Sequence, residues 1–81
     1  MPKRLGTFLF PKGKEDLEQL CDEKYLNDYE KEIIIRIYWK KQSLNFIADD
    51  MDFKKYGKVQ ERYSVRTINI FHKEAILKIV R

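Results

Sequence analysis

The sequence is poor in the residues that most often build small secreted domains and catalytic sites: it has one cysteine, one histidine, two prolines and three glycines. The single thiol, Cys21, cannot close an internal disulfide, whereas secreted domains of this size usually depend on several disulfides. The N-terminal apolar run at 7–10 has only four residues and ends at Pro11, so no cleavable leader is expected. We therefore expect the protein in a reducing compartment, the cytoplasm.

Long apolar runs and catalytic motifs are also absent from the sequence. The longest apolar stretch, residues 33–39, has seven residues and includes Arg36, whereas a membrane-spanning helix needs roughly 20. There is no Gly-rich phosphate loop, no second histidine and no nucleophile at a fixed spacing from a base. His72 has no cysteine or carboxylate at ligand spacing, so we expect it to be packed or hydrogen-bonded. The sequence predicts no enzyme activity, no metal or cofactor site and no membrane association.

Charge is distributed unevenly along this chain of net charge +4. Residues 1–14 carry four Lys or Arg and no acid. Residues 15–35 carry eight acids against two lysines, a net −6, and residues 54–81 carry eight Lys or Arg against two acids, a net +6. A chain with this dipole turns its basic part toward polyanions such as nucleic acid. The alternative is that the lysines only keep a small domain in solution.

Apolar residues at helical spacing predict two helices in the first half of the chain. The first covers about residues 14–26, with a core-facing stripe of Leu17, Leu20, Cys21 and Tyr25. Asn27 and Asp28 offer a stop and a new cap, and the second helix runs to about residue 39. The β-branched run at 33–39 also fits a buried strand, but charged helix formers flank it and favour a helix. Its apolar face is Tyr29, Ile33, Ile34, Ile37 and Tyr38.

Two further helices follow, each after a serine suited to cap it. Ser43 precedes a short helix at 43–52, and Ser64 precedes a final helix at 64–80. Residues 53–63 lose the period and contain Gly57, so they predict a loop. We expect Trp39 and Phe46 in the core, or alternatively in a patch that contacts a partner. The predicted fold is all-α: a basic N-terminal arm, 1–13, and one small four-helix domain, 14–81. The inner face of the last helix is Val65, Ile68, Phe71, His72, Ala75, Ile76 and Ile79.

The last two helices have the pattern of a helix-turn-helix. The small residue Ala48 in the third helix allows the following helix to cross at close range. The helix that follows Ser64 has an apolar residue, Ile68, four positions on, and such a helix presents its N-terminal turns to the major groove of DNA. The loop at 53–63 makes this an enlarged turn.

Residues 28–81 resemble the fourth region of bacterial sigma factors and the related small regulators of phage late genes. Residues 30–34 with Tyr38-Trp39 resemble the opening helix of that family. The supporting helix is matched by Ser43-Leu44, Ile47-Ala48 and Met51, and the recognition helix by residues 66–68, 73–76 and 78–79. One departure is that ten residues, 54–63, stand where the family has a turn of a few residues.

The resemblance implies a sequence-specific DNA-binding transcription regulator in the cytoplasm of a bacterium or a phage-infected cell. The last helix, 64–80, would enter the major groove of double-stranded DNA. RNA polymerase and a second copy of the chain are the further partners considered, because a lone helix-turn-helix buries little DNA surface. The alternative function is a protein-binding module of sigma-like fold that docks on RNA polymerase or another transcription protein.

The candidate DNA-binding residues are those left outside when the core face of the last helix is removed, together with the basic residues of the enlarged turn. Arginine bridges guanine O6 and N7, asparagine pairs with adenine, and an exposed isoleucine meets a thymine methyl. On the helix, Arg66 and Asn69 are expected to read bases and Ile70 to contact a methyl, with Ser64, Thr67 and Lys73 on phosphates or in mixed roles. The residues expected near the phosphate backbone are Lys54, Lys55, Lys58 and Arg62.

Overall fold

The structure, a computed structural model, describes residues 13–80. The predicted N-terminal arm lies outside the described residues except for Gly13, and so does Arg81. Residues 13–80 form four α-helices and no strand: α1 (Lys14–Glu23), α2 (Asp28–Ile34), α3 (Leu44–Asp50) and α4 (Val65–Val80). The predicted all-helical fold with four helices is confirmed, and the strand alternative for residues 33–39 is wrong. None of the helices described has the length and apolar character needed to cross a membrane.

Side-chain caps start three of these helices at the predicted residues. The backbone N–H of Asn27 donates to Glu30 Oε1 at 2.9 Å, which caps α2. Ser43 Oγ accepts from the backbone N–H of Phe46 at 3.2 Å at the start of α3. Ser64 plays the same part for α4. These bonds satisfy backbone donors that a helix leaves unpaired in its first turn.

Helix α1 ends earlier than predicted, and this moves Tyr25 out of the core. The helix stops at Glu23, with Lys24 as its C-cap, and Tyr25 follows in the left-handed region with φ of 58°. Its side chain is 88% exposed, so the prediction that Tyr25 continues the apolar stripe of α1 is wrong. Leu26 packs against the core instead. The backbone bonds show how the helix ends: the N–H of Leu26 donates to the carbonyl of Cys21 at 3.1 Å and that of Tyr25 to the carbonyl of Asp22 at 3.2 Å. This turn closes the helix with Tyr25 in the left-handed region.

The core has two halves that meet along α2 and α4. In one half, α1 packs against the end of α2 and the C-terminal part of α4. The buried residues here are Leu17, Leu20, Cys21, Ile34, Ile35, Ala75 and Ile79. In the other half, α3 and the segment after it pack against α2 and the N-terminal part of α4. Its buried residues are Ile33, Ile47, Ala48, Met51, Phe53 and Ile68.

Helix α2 continues directly into a π-helical turn, Ile35–Trp39. Arg36 lies in this turn and links the turn to α3. The guanidinium of Arg36 lies 2.9 Å from Glu32 Oε1 and 2.6 Å from Asp50 Oδ2. The same side chain donates to Gln42 Oε1 at 3.2 Å. Trp39 at the end of the turn is 40% exposed and Phe46 on α3 is 49% exposed, so the expectation that both lie in the core is wrong.

The segment between α3 and α4, which the sequence predicts as an enlarged turn, is a compact, closed loop. It opens with a 3-10 helix, Phe53–Tyr56, capped by the Asp52 side chain, and reverses at Gly57 with φ of 81°. The backbone N–H of Phe53 donates to the carbonyl of Glu61 at 2.8 Å, which brings the two ends of the loop together. Sequence analysis predicted an irregular loop over 53–63, and the 3-10 helix was not foreseen.

Candidate nucleic-acid interface

The outer face of α4 carries the candidate base-reading residues. Ile68, Ala75 and Ile79 are buried on the inner face. Arg66 and Lys73 are exposed on the other side, and Ile70 between them is 47% exposed. Residues four and three positions apart lie on one side of a helix, so Arg66, Ile70 and Lys73 form one continuous outward stripe.

Asn69 and the cap of α4 complete this face. Asn69 and Thr67 are half-buried, whereas Ser64 is exposed. Ser64 Oγ accepts from the backbone N–H of Thr67 at 3.3 Å and lies 3.2 Å from Thr67 Oγ1. The hydroxyl of Ser64 is therefore engaged in capping, and Thr67 is held against it. The first turn of α4 carries the positive end of the helix dipole, which favours a nearby anion such as phosphate.

The basic residues of the loop divide into two kinds. Lys54, Lys55 and Arg62 are exposed, with Lys55 Nζ 5.3 Å from the centre of the Tyr56 ring. Lys58 is half-buried, and its ammonium lies over aromatic rings of the helical core. Three cations of the loop are therefore exposed to solvent, and the fourth, Lys58, packs against the protein.

Phe53 holds the loop beside the N-terminal half of α4. Its ring is fully buried and meets Tyr63 edge-on, with ring centres 5.1 Å apart. The same ring lies 5.9 Å from Phe71 of α4 and 6.5 Å from Tyr29 of α2. This aromatic cluster packs the loop that carries the exposed cations against α2 and the N-terminal half of α4.

Opposite charges lie at opposite ends of α4. The basic loop packs against its N-terminal half, whereas α1 packs against its C-terminal half. Helix α1 exposes the carboxylates of Glu15, Asp16, Asp22 and Glu23. The exposed cations of the loop and the exposed carboxylates of α1 therefore lie toward opposite ends of α4.

Burial shifts the pKa of two titratable groups, His72 and Cys21, toward their uncharged forms. Burial lowers the pKa of His72, whose Nε2 lies 2.7 Å from the hydroxyl of Tyr38; the expected packed or hydrogen-bonded histidine is confirmed. Burial raises the pKa of the Cys21 thiol to about 12, with nearby carboxylates adding to the shift. Within residues 13–80, no grouping of three or more His, Cys, Asp or Glu side chains is arranged to hold a metal ion.

Sequence reasoning did not foresee the contacts by which Phe53 and Lys58 attach the loop to α2 and α4. Phe53 and Lys58 act through contacts with Tyr29 and Phe71, which are distant in sequence. One sequence signal could have indicated a packed loop: it contains three aromatic residues, Phe53, Tyr56 and Tyr63. A fully solvated turn rarely has so many. The contacts of Arg66, Asn69, Ile70 and Lys73 with bases or phosphates stay predictions.

Comparison with known proteins gives no relative for this chain: no family model, no curated protein and no solved structure matches it.

Proposed function

We propose that the chain is a sequence-specific DNA-binding transcription regulator that places the N-terminal half of α4 in the major groove. The observation that carries this proposal is the outward stripe of Arg66, Ile70 and Lys73, exposed on a helix whose opposite face is buried. An α-helix fits the width of the major groove. Val65, expected on the inner face, is 36% exposed, and the helix is anchored by Ile68, Ala75 and Ile79. This anchoring keeps its outer side chains in a fixed register for reading bases.

The side chains of this stripe, with the half-buried Asn69 beside it, match the chemistry of base edges. Arg66 reaches guanine O6 and N7 with two donors, Asn69 pairs with adenine, and Ile70 contacts a thymine methyl. Ser64, Thr67 and Lys73 act on the flanking phosphates or in mixed roles, Ser64 by capping the N-terminus of α4 that faces them. The base contacts supply specificity, and the phosphate contacts set the position of the helix.

The basic loop makes the second contact of the proposed complex. Lys54, Lys55 and Arg62 face solvent on the loop that packs against the N-terminal half of α4, and in this proposal they meet the phosphate backbone that flanks the groove. The enlarged turn therefore adds sequence-independent affinity to the helix-turn-helix. In this proposal α3 is the supporting helix, and it packs through Ala48 and Ile47 against the same cluster as Ile68 of α4.

The likeness of residues 28–81 to the fourth region of sigma factors points to a bacterial or phage regulator that acts in the cytoplasm. Because one helix-turn-helix buries little DNA surface, we expect it to bind with RNA polymerase or as a homodimer. The proposal includes neither an enzyme activity nor a cofactor.

A second candidate function is a protein-binding module that docks on RNA polymerase or another transcription protein. The observation that favours it is the exposure of Trp39 and Phe46, two large aromatic residues of the kind that anchor protein interfaces. The acidic surface of α1 would then steer a basic partner. In this case DNA binding is incidental.

Selection of bound sequences from random duplex DNA, followed by titration of the preferred site at several salt concentrations, separates these two functions. If the protein binds DNA as proposed, affinity falls steeply with salt, and Arg66→Ala weakens binding to the preferred site by about 1–3 kcal/mol. Lys40→Ala is the matched control, because Lys40 is an exposed cation outside the interface. Absent or salt-insensitive duplex binding, together with capture of a polymerase subunit that Trp39→Ala abolishes, would favour the second function.

A further inference from the structure

Lys58 occupies a different environment from the other cations of the loop. Its Nζ lies 4.2 Å from the centre of the Tyr29 ring and 5.0 Å from that of Phe71. The two rings are themselves in contact, with centres 5.1 Å apart. Tyr29 belongs to α2 and Phe71 to α4, so one ammonium joins the loop to both central helices.

The backbone around Lys58 reinforces this attachment. The N–H of Lys58 donates to the carbonyl of Phe53 at 3.2 Å, and the N–H of Phe53 donates to the carbonyl of Glu61 at 2.8 Å. The ring of Phe53 is buried in the same aromatic cluster. Between these attachments the chain turns outward, and Val59 at the tip is 89% exposed.

We propose that Lys58 is a positioning residue of the DNA-binding surface and not one of its phosphate ligands. An ammonium over two aromatic faces is attracted by their negative quadrupoles, and the attraction increases when the cation is partly desolvated. Lys58 therefore holds the loop against the helices, and Lys54 and Arg62 meet the phosphate backbone in a preformed arrangement. Preorganisation lowers the entropy lost on binding. This inference rests on the proposed DNA-binding function.

Hydrogen exchange on the protein alone tests the attachment of the loop. The amides to follow are those of Phe53 and Lys58, whose bonds close the loop. Lys58→Met keeps the apolar stem and removes the charge, and we expect it to speed exchange of both amides by about two- to fivefold. Lys58→Arg keeps a cation over the rings and retains wild-type exchange. Lys54→Met, the matched control, changes nothing. Unchanged exchange in Lys58→Met would overturn the proposal.

The salt dependence of DNA binding tests whether Lys58 touches phosphate. Loss of a phosphate contact reduces the slope of log affinity against log salt by about 0.9, and we expect this for Lys54→Met. Lys58→Met is expected to weaken binding by about two- to fivefold at every salt concentration with the slope unchanged. Lys58→Arg restores wild-type affinity. A reduced slope in Lys58→Met, equal to that of Lys54→Met, would make Lys58 a phosphate ligand and overturn the proposal.

A variant that carries both Lys54→Met and Lys58→Met separates positioning of Lys54 from a general effect of Lys58 on stability. If Lys58 positions Lys54, the Lys54→Met change costs less affinity when Lys58 is already Met, because the contact is no longer preformed. Additive effects would mean that Lys58 acts on stability alone and would contradict the proposal. If the wild-type protein binds no duplex, the DNA role of Lys58 falls with the proposed function, and the exchange experiment still decides whether Lys58 holds the loop.

Discussion

The carboxylate of Glu30 and the ammonium of Lys78 form an ion pair with 2.6 Å between Oε1 and Nζ. Glu30 lies in the first turn of α2 and is almost fully buried, and Lys78 lies near the end of α4. The same Oε1 accepts from the backbone N–H of Asn27. One carboxylate therefore caps α2 and binds it to α4.

Removing the cation of this pair is expected to destabilise the fold. Lys78→Met leaves the Glu30 charge buried with only the Asn27 amide, and the free energy of unfolding falls by about 1–3 kcal/mol. This cost lies below the roughly 3–5 kcal/mol of a fully buried broken pair because the Lys78 side chain is 34% exposed. Urea unfolding measures the change. Lys73→Met, an exposed lysine on the same helix, is the control and stays within about 0.5 kcal/mol of wild type. Equal stability of the two variants would contradict the role of the pair.

The aromatic cluster predicts a large cost for truncating Phe53. Phe53→Ala empties the centre of a cluster formed with Tyr29, Tyr63 and Phe71, at about 3–5 kcal/mol. Because a small domain has only about 5–15 kcal/mol of stability, Phe53→Leu is the more informative variant, with an expected cost of about 1–2 kcal/mol. Urea unfolding gives the cost, and the aromatic circular dichroism signal reports the cluster. A Phe53→Leu variant with wild-type stability and spectrum would show that the loop is not held by its ring.

The single histidine makes stability depend on pH. Burial lowers the pKa of His72 from its ordinary value of 6.5. Between that value and the lower folded pKa, the unfolded chain binds more protons than the folded one. The contribution of His72 to the free energy of unfolding therefore falls as pH falls below about 6.5, and this contribution levels off below the folded pKa.

An NMR titration of the His72 ring protons measures the folded pKa directly, and we expect a midpoint below 6.5. His72→Gln removes the contribution of the histidine to the pH dependence of unfolding, and the contribution of the carboxylates remains. A His72 midpoint at or above its ordinary value, or an identical pH dependence in His72→Gln, would contradict the burial of the ring.

The thiol of Cys21 is expected to be unreactive in the folded protein. Its side chain is fully buried and burial raises its pKa to about 12, so almost no thiolate is present near neutral pH. A disulfide reagent should react quickly in urea and at least about a hundredfold more slowly in buffer, because the folded state must open first. Fast reaction of the native protein would place Cys21 outside the core.

Much of the fold could be predicted from local sequence signals. Asn27, Ser43 and Ser64 are typical helix-starting residues, and the apolar spacing after each of them continues for several turns. These signals are local, so tertiary structure had little opportunity to override them. Tyr25 was misplaced because the spacing of α1 continues in the sequence past the residue where the backbone leaves the helix.

The organisation of the candidate site was less predictable because it depends on tertiary contacts. Arg66 and Lys73 could be placed outside by removing the apolar face of α4, and both are exposed. Nothing local distinguishes Lys58 from Lys54 or Lys55, since only folding brings the rings of Tyr29 and Phe71 beneath it. The burial of Glu30 was equally hidden, because its charge partner lies 48 positions away.

The central claim is that the first turns of α4 enter DNA, and NMR mapping of backbone amides on the selected duplex tests it most directly. We expect the largest shift changes on addition of the duplex at residues 64–73, with a second group at the loop residues 54–62. Helix α1 should change little, because its exposed surface is acidic. Changes centred on α1 and Trp39, or an absence of changes with the preferred duplex, would contradict the account.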